Sequence, residues 1–225
     1  MKTFTKPILA IAAVAMLAVL PMSASAVPVT MHSANTIWGN QGWSGVGLTF
    51  DVIAPRVEVL ELGIYDSGAD GIADIPGAKT VLTTVLFDAQ QNVIAQMNFS
   101  AGDPGMWFDA ASNYLFKPLA TSLVLTPGQY TIVGYGFSAA NLEHNSNLGG
   151  PGPTFNGDGI QFVQSVWTAT GADPAPTWPT QTYGPTAPDF FDGPNMIYQV
   201  PAPGAILLGA IGMSLVGYLR RRNAL

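Results

Sequence analysis

The sequence contains no cysteine and few charges, and these absences exclude several classes of protein. None of the 225 residues is cysteine, so neither a disulfide framework nor thiolate chemistry can operate. Charged residues make up only 10% of the chain, whereas hydrophobic residues reach 48%. Intrinsically disordered chains show the opposite balance, with high charge and low hydrophobicity. The composition therefore predicts a folded domain with a substantial core.

Basic residues are scarce between the two ends of the chain. Two lysines lie within the first six residues and three arginines at 220–222. Between them, three basic residues (Arg56, Lys79 and Lys117) oppose fourteen acidic ones, which leaves a net charge of −11. A surface of that sign repels phosphate backbones, so we expect no binding to nucleic acid.

Residues that usually carry catalysis are also rare. The only histidines are His32 and His144, and neither has a partner at zinc-ligand spacing. Ser44 lies in a glycine-rich stretch that lacks the second glycine of the G-x-S-x-G nucleophile motif. We therefore predict that the protein is not an enzyme.

The N-terminus has the three parts of a secretory signal. Lys2 and Lys6 are followed by an apolar run of 13 residues, Ile8 to Leu20, and then by Ala24 and Ala26 around one serine. A charged start, a short apolar core and small residues at positions −3 and −1 are what signal peptidase recognises. We expect cleavage after Ala26 and export of the remainder. The alternative, an uncleaved membrane helix, usually needs a longer apolar run.

The C-terminus carries a second apolar segment, residues 204–219, with sixteen uncharged residues before Arg220, Arg221 and Arg222. As a helix it would be about 24 Å long, somewhat less than a hydrocarbon core of about 30 Å. Tyr218 at the interface and snorkelling arginines can cover the difference. Because clustered arginines resist translocation, we expect one transmembrane helix with its arginines in the cytoplasm and the body outside.

Before this segment, Val200-Pro201-Ala202-Pro203 is kept extended by its two prolines. A proline-containing tetrapeptide, one apolar helix and a terminal arginine cluster together resemble the PEP-CTERM sorting signal of Gram-negative bacteria. Val200, Pro201 and Pro203 match the usual Val-Pro-Glu-Pro motif, and Ala202 replaces the glutamate.

The resemblance implies processing by an exosortase, a membrane protease-transpeptidase, in an organism that makes exopolysaccharide. It implies an intermediate anchored in the inner membrane, followed by a location at the cell surface or in the extracellular matrix. The alternative is a single-span anchor that is never cut.

The body from Val27 to Gln199 has 173 residues, enough for one core. Gly- and Pro-containing turns separate its short alternating or β-branched runs, which is typical of all-β domains. These runs start at Val46, Val57, Thr80, Val93, Thr121, Gln129, Ile160 and Asn195. They predict an antiparallel β-sandwich of jelly-roll or immunoglobulin type.

Two turns and one alternating segment make this prediction more specific. The polar stretch at 87–93 predicts a hairpin, and Pro127-Gly128 predicts a tight turn. In the segment 93–99 the odd-numbered residues fall on one face. Residues 46–137 also loosely resemble a sandwich module found on PEP-CTERM proteins, through GVGLTFDV, VLELGIYDSGADGI, TVLTTVLFDAQQNVIA and LTPGQYTIVGYG. That resemblance implies that the Pro-Gly turn closes a hairpin.

Two sets of residues are candidates for ligand binding. Asp66, Asp70 and Asp74 lie four apart in a glycine-rich loop, and such a loop can supply oxygens to Ca²⁺. The loop lacks the glutamate of an EF-hand, and an ordinary acidic turn is the alternative. Trp107 and Trp178 lie in loop-like contexts, which predicts a platform for a glycan. Trp167 ends a strand and is expected in the core.

We therefore expect a signal peptide at 1–26, a β-sandwich at 27–199 and a sorting signal at 200–225. The leading interpretation is a non-enzymatic protein of the cell surface or exopolysaccharide matrix. The alternative is a Ca²⁺-assisted, lectin-like carbohydrate-binding module.

Overall fold

The computed structural model describes most of the body and a few residues near the C-terminus. The described residues are 27–34, 36, 38–75, 78–138, 142–147, 153–168, 177–183, 190–201, 212, 214–216 and 218–220. Of residues 74–75 and 78–79 only the backbone is described. Residues Val27–Val200 form one compact unit.

The compact unit is built from β-strands. In chain order they are β1 Val29–Thr30, β2 Gly45–Val52, β3 Val57–Tyr65, β4 Asp74–Ile75, β5 Ala78–Lys79, β6 Leu82–Asp88, β7 Val93–Phe99, β8 Trp107–Asp109, β9 Tyr114–Leu125, β10 Gly128–Tyr135, β11 Ser146–Asn147, β12 Ile160–Thr168, β13 Gln181–Tyr183, β14 Phe191–Asp192 and β15 Pro194–Gln199.

Two large antiparallel sheets contain most of these strands. The five-stranded sheet has the order β1-β15-β3-β9-β8, and the six-stranded sheet the order β13-β12-β2-β10-β6-β7. Two short pairs, β11-β14 and β4-β5, lie outside them. The prediction of an all-β, antiparallel protein is confirmed, because each of the eight predicted runs overlaps a strand.

The main core lies between the two large sheets. Leu48 and Phe50 on β2 belong to the same buried cluster as Val59 and Leu62 on β3, and as Met196 on β15. The inward side chains alternate with outward ones along β2, since Thr49 instead shares a buried hydrogen bond with Thr131 of β10 on the opposite face. Period-two alternation thus places one apolar row per strand in the core.

The outer face of the six-stranded sheet is also apolar, and the chain covers part of it. Val85, Phe87, Val133, Tyr135 and Val166 form a separate buried cluster, with Trp178 packed against it. The ring centroids of Trp178 and Phe87 lie 5.5 Å apart in an edge-on contact. The hydroxyl of Tyr135 donates a hydrogen bond to the carbonyl of Thr177, which fixes the covering segment.

The Pro127-Gly128 turn does not close a hairpin, so that prediction is wrong. β9 pairs with β3 in one sheet, whereas β10 pairs with β2 and β6 in the other. The turn therefore carries the chain from one sheet to the opposite sheet. The predicted hairpin at residues 87–93 is confirmed, since β6 pairs with β7.

The alternation predicted for residues 93–99 is interrupted by a bulge. Ala95 pairs with Leu86, but Val93 pairs with Phe87, so the register shifts around Ile94. As a result Val93 is 48% exposed and Ile94 packs against the core. The prediction was wrong for these two residues, because a bulge changes which face its neighbours occupy.

Near the C-terminus, the described residues 212, 214–216 and 218–220 are helical. Most of the predicted span at 204–219 lies outside the described residues. No helix formed by the described residues is long and apolar enough to span a membrane.

Candidate functional site

The acidic loop, residues 66–73, follows β3 and is organised by the side chain of Asp66. The Oδ2 atom of Asp66 accepts a hydrogen bond of 3.0 Å from the backbone N–H of Gly71, and its carbonyl accepts one from the N–H of Ala69. Asp66 is 1% exposed, and its Oδ1 atom has no hydrogen-bond partner among the described residues. Burial raises the pKa of this carboxyl. A buried carboxyl group thus lies at the start of the loop.

Trp38 packs against this loop because Gly68 has no side chain. Gly68 adopts a φ of +102°, which L side chains rarely adopt, and a Cβ there would lie 2.9 Å from Cζ3 of Trp38. The next residue, Gly39, donates its backbone N–H to Oγ of Ser67 at 3.1 Å. The Trp38 side chain is nevertheless 63% exposed, so most of the indole faces solvent.

Glu143 approaches the acidic loop from a distant part of the sequence. Its Oε1 atom accepts a hydrogen bond of 2.7 Å from the backbone N–H of Ala73, and its carbonyl accepts one from the N–H of Ser138. The residue is 2% exposed. Burial, and then repulsion from Asp66 and Asp70, raise the pKa of Glu143 to about 7.

These segments enclose a cavity of about 380 Å³, which we call the acidic pocket. It is lined by Trp38, Gly39, Ser67, Asp70, Ala73, Leu142, Glu143 and His144. Two exposed apolar side chains, those of Trp38 and Leu142, flank it, each 63% exposed. No lysine or arginine occurs among these described lining residues. The pocket thus combines an aromatic surface with the carboxyl groups of Asp70 and Glu143, the second of which is buried.

The structure brings together two of the three aspartates proposed to bind Ca²⁺. Asp66 and Asp70 belong to the acidic loop, and Asp74 begins β4, but its side chain is outside the described residues. Within the described part of the chain, no group of three or more His, Asp or Glu residues could hold a metal ion. One oxygen of Asp66 is already used by a backbone N–H. The calcium site therefore stays a prediction.

Trp107 and Trp178, predicted as a glycan platform, lie on different sheets. Trp107 is on β8, at the edge of the five-stranded sheet, where its indole N–H donates a 2.7 Å hydrogen bond to Glu61. Trp178 instead packs over the outer face of the six-stranded sheet. The structure does not bring them together. Trp167, expected in the core, is half-buried and lies 4.6 Å from Trp43, centroid to centroid.

The first residue of the predicted sorting motif packs against the body. Val200 directly follows β15 and contacts the main core, and a Cβ on Gly159 would lie 2.7 Å from its Cγ2. Pro201 is described, and Arg220 is helical. The other predicted residues of both ends lie outside the described residues, namely Ala24, Ala26, Ala202, Pro203, Arg221 and Arg222.

Trp38, Glu143 and His144 were not predicted from the sequence as site residues. Glu143 lies 70 positions after Ala73, to which it is hydrogen-bonded, and no spacing rule links such distant residues. Comparison with known proteins adds no assignment, since no family model, curated protein or solved structure matches the chain.

Proposed function

We propose that this protein is an exported, non-enzymatic component of the cell surface or exopolysaccharide matrix of a Gram-negative bacterium. Its signal peptide is removed after Ala26, and the helix at 204–219 anchors the intermediate in the inner membrane. An exosortase-type protease then acts at the motif starting at Val200. The displayed body is a sandwich of jelly-roll or immunoglobulin type.

One observation carries this proposal: a secretory-type N-terminus occurs together with a proline motif, an apolar segment and an arginine cluster at the C-terminus. The compact unit ends at Val200, directly before the prolines of that motif. The strongly acidic composition between the two ends also suits a soluble, displayed domain.

Intact-mass analysis of the protein from its own host tests the proposal. A mass that begins at Val27 and ends between Val200 and Pro203 is the expected result, with or without an added group. A mass that still includes Arg220–Arg222 would refute sorting by cleavage, and the tail would then be a permanent anchor.

A second candidate function is a carbohydrate-binding module, and the acidic pocket favours it. Sugar-binding sites commonly use exposed aromatic faces, and Trp38 presents one beside a cavity lined with hydrogen-bonding groups. Binding is tested by titration calorimetry and by shifts in melting temperature with a glycan panel, with and without Ca²⁺. No heat and no shift with any glycan would remove this candidate.

A further inference from the structure

We infer that one end of the body is a membrane-docking surface, which rests on the lipid headgroups of a bilayer. We call it the terminal end, and it consists of Val27, the turn at 53–56 and Val200. The inference rests on the proposed function only through the apolar segment at 204–219, which must anchor the chain. It adds the face that the body presents to the membrane before the C-terminus is processed.

The first and the last residues of the body lie at the same end of the five-stranded sheet. β1 pairs antiparallel with β15, and Val29 lies opposite Tyr198. Val27 precedes this pair by two residues and Val200 follows it by two. Because the strands are antiparallel, both residues lie towards the same end of the sheet. A segment attached to either of them therefore starts from the terminal end.

The turn between β2 and β3 lies beside Val200. The backbone N–H groups of Ile53 and Ala54 donate hydrogen bonds of 2.9 and 3.1 Å to the carbonyl of Gly159. A Cβ on Gly159 would lie 2.7 Å from Cγ2 of Val200 and 3.0 Å from the Cβ of Ala54. The turn and the last residue of the body thus belong to one surface.

The terminal end exposes two large apolar side chains. Ile53 is 62% exposed and Val27 is 78% exposed. Arg56 is exposed in the same turn and approaches Glu58 only at 3.9 Å, so its guanidinium can also bind a lipid phosphate. Asp158 is exposed in the adjoining loop, so the contact depends on the apolar side chains more than on charge. Covering aliphatic surface is favourable because it removes that surface from water.

The length of the connection decides which end of the body faces the bilayer. Four residue steps join Val200 to Gly204, where the apolar segment begins, and they span at most about 14 Å. The opposite end of the body lies one strand length away, about 26 Å for the eight residues of β2. Docking through that opposite end would hold Val200 farther from the bilayer than the connection reaches.

Single thiols can report on this surface, because the sequence contains no cysteine. Thr126→Cys places a thiol on the turn after β9, next to the turn at 53–56, since Leu125 pairs with Val57. The chain that keeps its C-terminal segment is reconstituted into nanodiscs of phosphatidylethanolamine and phosphatidylglycerol. The rate of modification by a charged maleimide is then measured. We expect Ile53→Asn to speed this modification about tenfold, which corresponds to about 1.4 kcal/mol, the scale of covering one aliphatic side chain.

A matched residue at the opposite end provides the control. Leu142 is 63% exposed, almost the same as Ile53, and lines the acidic pocket. Leu142→Asn should leave the modification of Thr126→Cys unchanged. A thiol at Leu142→Cys should react equally fast with and without Ile53→Asn. Because both side chains are exposed, the variants should fold normally, and the melting temperature checks this.

The contrary outcomes separate this inference from the anchor on which it rests. Equal modification of Thr126→Cys with and without Ile53→Asn, in a chain that co-elutes with the nanodiscs, would refute the docking surface and keep the anchor. An equal acceleration by Leu142→Asn would refute the terminal end as the docking face. A chain that elutes apart from the nanodiscs would refute the anchor at 204–219, and the inference with it.

Discussion

Replacing Glu143 with glutamine is expected to stabilise the protein at pH 8 and to leave its stability at pH 4.5 almost unchanged. Burial and the neighbouring Asp66 and Asp70 raise the pKa of Glu143 from its usual 4.5 to about 7. The folded state therefore holds the proton more tightly than the unfolded state. The free energy of unfolding falls as the pH rises from 4.5 through 7, and the full loss is present above that range.

The size of the effect follows from the same two values. At 1.36 kcal/mol per pH unit, a pKa raised from 4.5 to about 7 corresponds to about 3 kcal/mol. Glutamine removes this loss because it cannot ionise, and its side-chain oxygen can still accept the hydrogen bond from Ala73. Isosteric replacement also avoids a cavity.

Urea denaturation of the unaltered protein and of Glu143→Gln, at pH 4.5, 6 and 8, measures the difference. Groups that titrate alike in both proteins cancel in it. We expect a gain of about 3 kcal/mol at pH 8 that shrinks towards zero at pH 4.5. A difference of the same size at all three pH values, or a variant less stable at pH 8, would refute the raised pKa as the cause.

Three further predictions concern other parts of the fold. His32 is fully buried, which lowers its pKa from 6.5 to about 4, so the free energy of unfolding should fall by about 3 kcal/mol as the pH falls through this range. Urea titrations should show that His32→Phe lacks this loss. The same pH dependence of stability in the variant and the unaltered protein would contradict the prediction. Lys117 donates a 2.8 Å hydrogen bond to the carbonyl of Asn98 on the edge strand β7. Lys117→Met should lower the free energy of unfolding by about 1–3 kcal/mol. It should also promote self-association through β7, which light scattering would detect. A variant that stays monomeric would show that the lysine does not protect this edge strand. Gly68→Ala should cost about 1–3 kcal/mol, because of the positive φ and the contact with Trp38, and unchanged thermal stability would mean that the loop adapts.

Strand positions could be read from the sequence where local alternation decides them. The run from Val57 forms β3 over the predicted residues, and the run from Val93 forms β7. The first half of β9 was missed because Lys117 and Pro118 interrupt its apolar pattern. Pro118 lies where the pairing with β3 shifts register, a position that tolerates a missing N–H.

The pairing of strands and the location of the pocket could not be read in the same way. The sequence of a Pro-Gly turn does not show whether the next strand joins the same sheet or the opposite one, because that depends on distant pairing partners. Likewise, Glu143 lies in a segment after β10, and its hydrogen bond with Ala73 joins positions 70 residues apart. The acidic loop was identified because its aspartates and glycines are local, whereas its aromatic and glutamate neighbours come from other segments.

The position of β15 has a consequence for the order in which the body can fold. This last strand lies between β1 and β3, so the five-stranded sheet is split until residues 194–199 arrive. In a chain that crosses a membrane from its N-terminus, everything up to β14 emerges first and must wait with an open sheet. Completion of the fold then coincides with arrival of the motif that begins at Val200. Truncation before Pro194 should leave a chain that cannot complete its core.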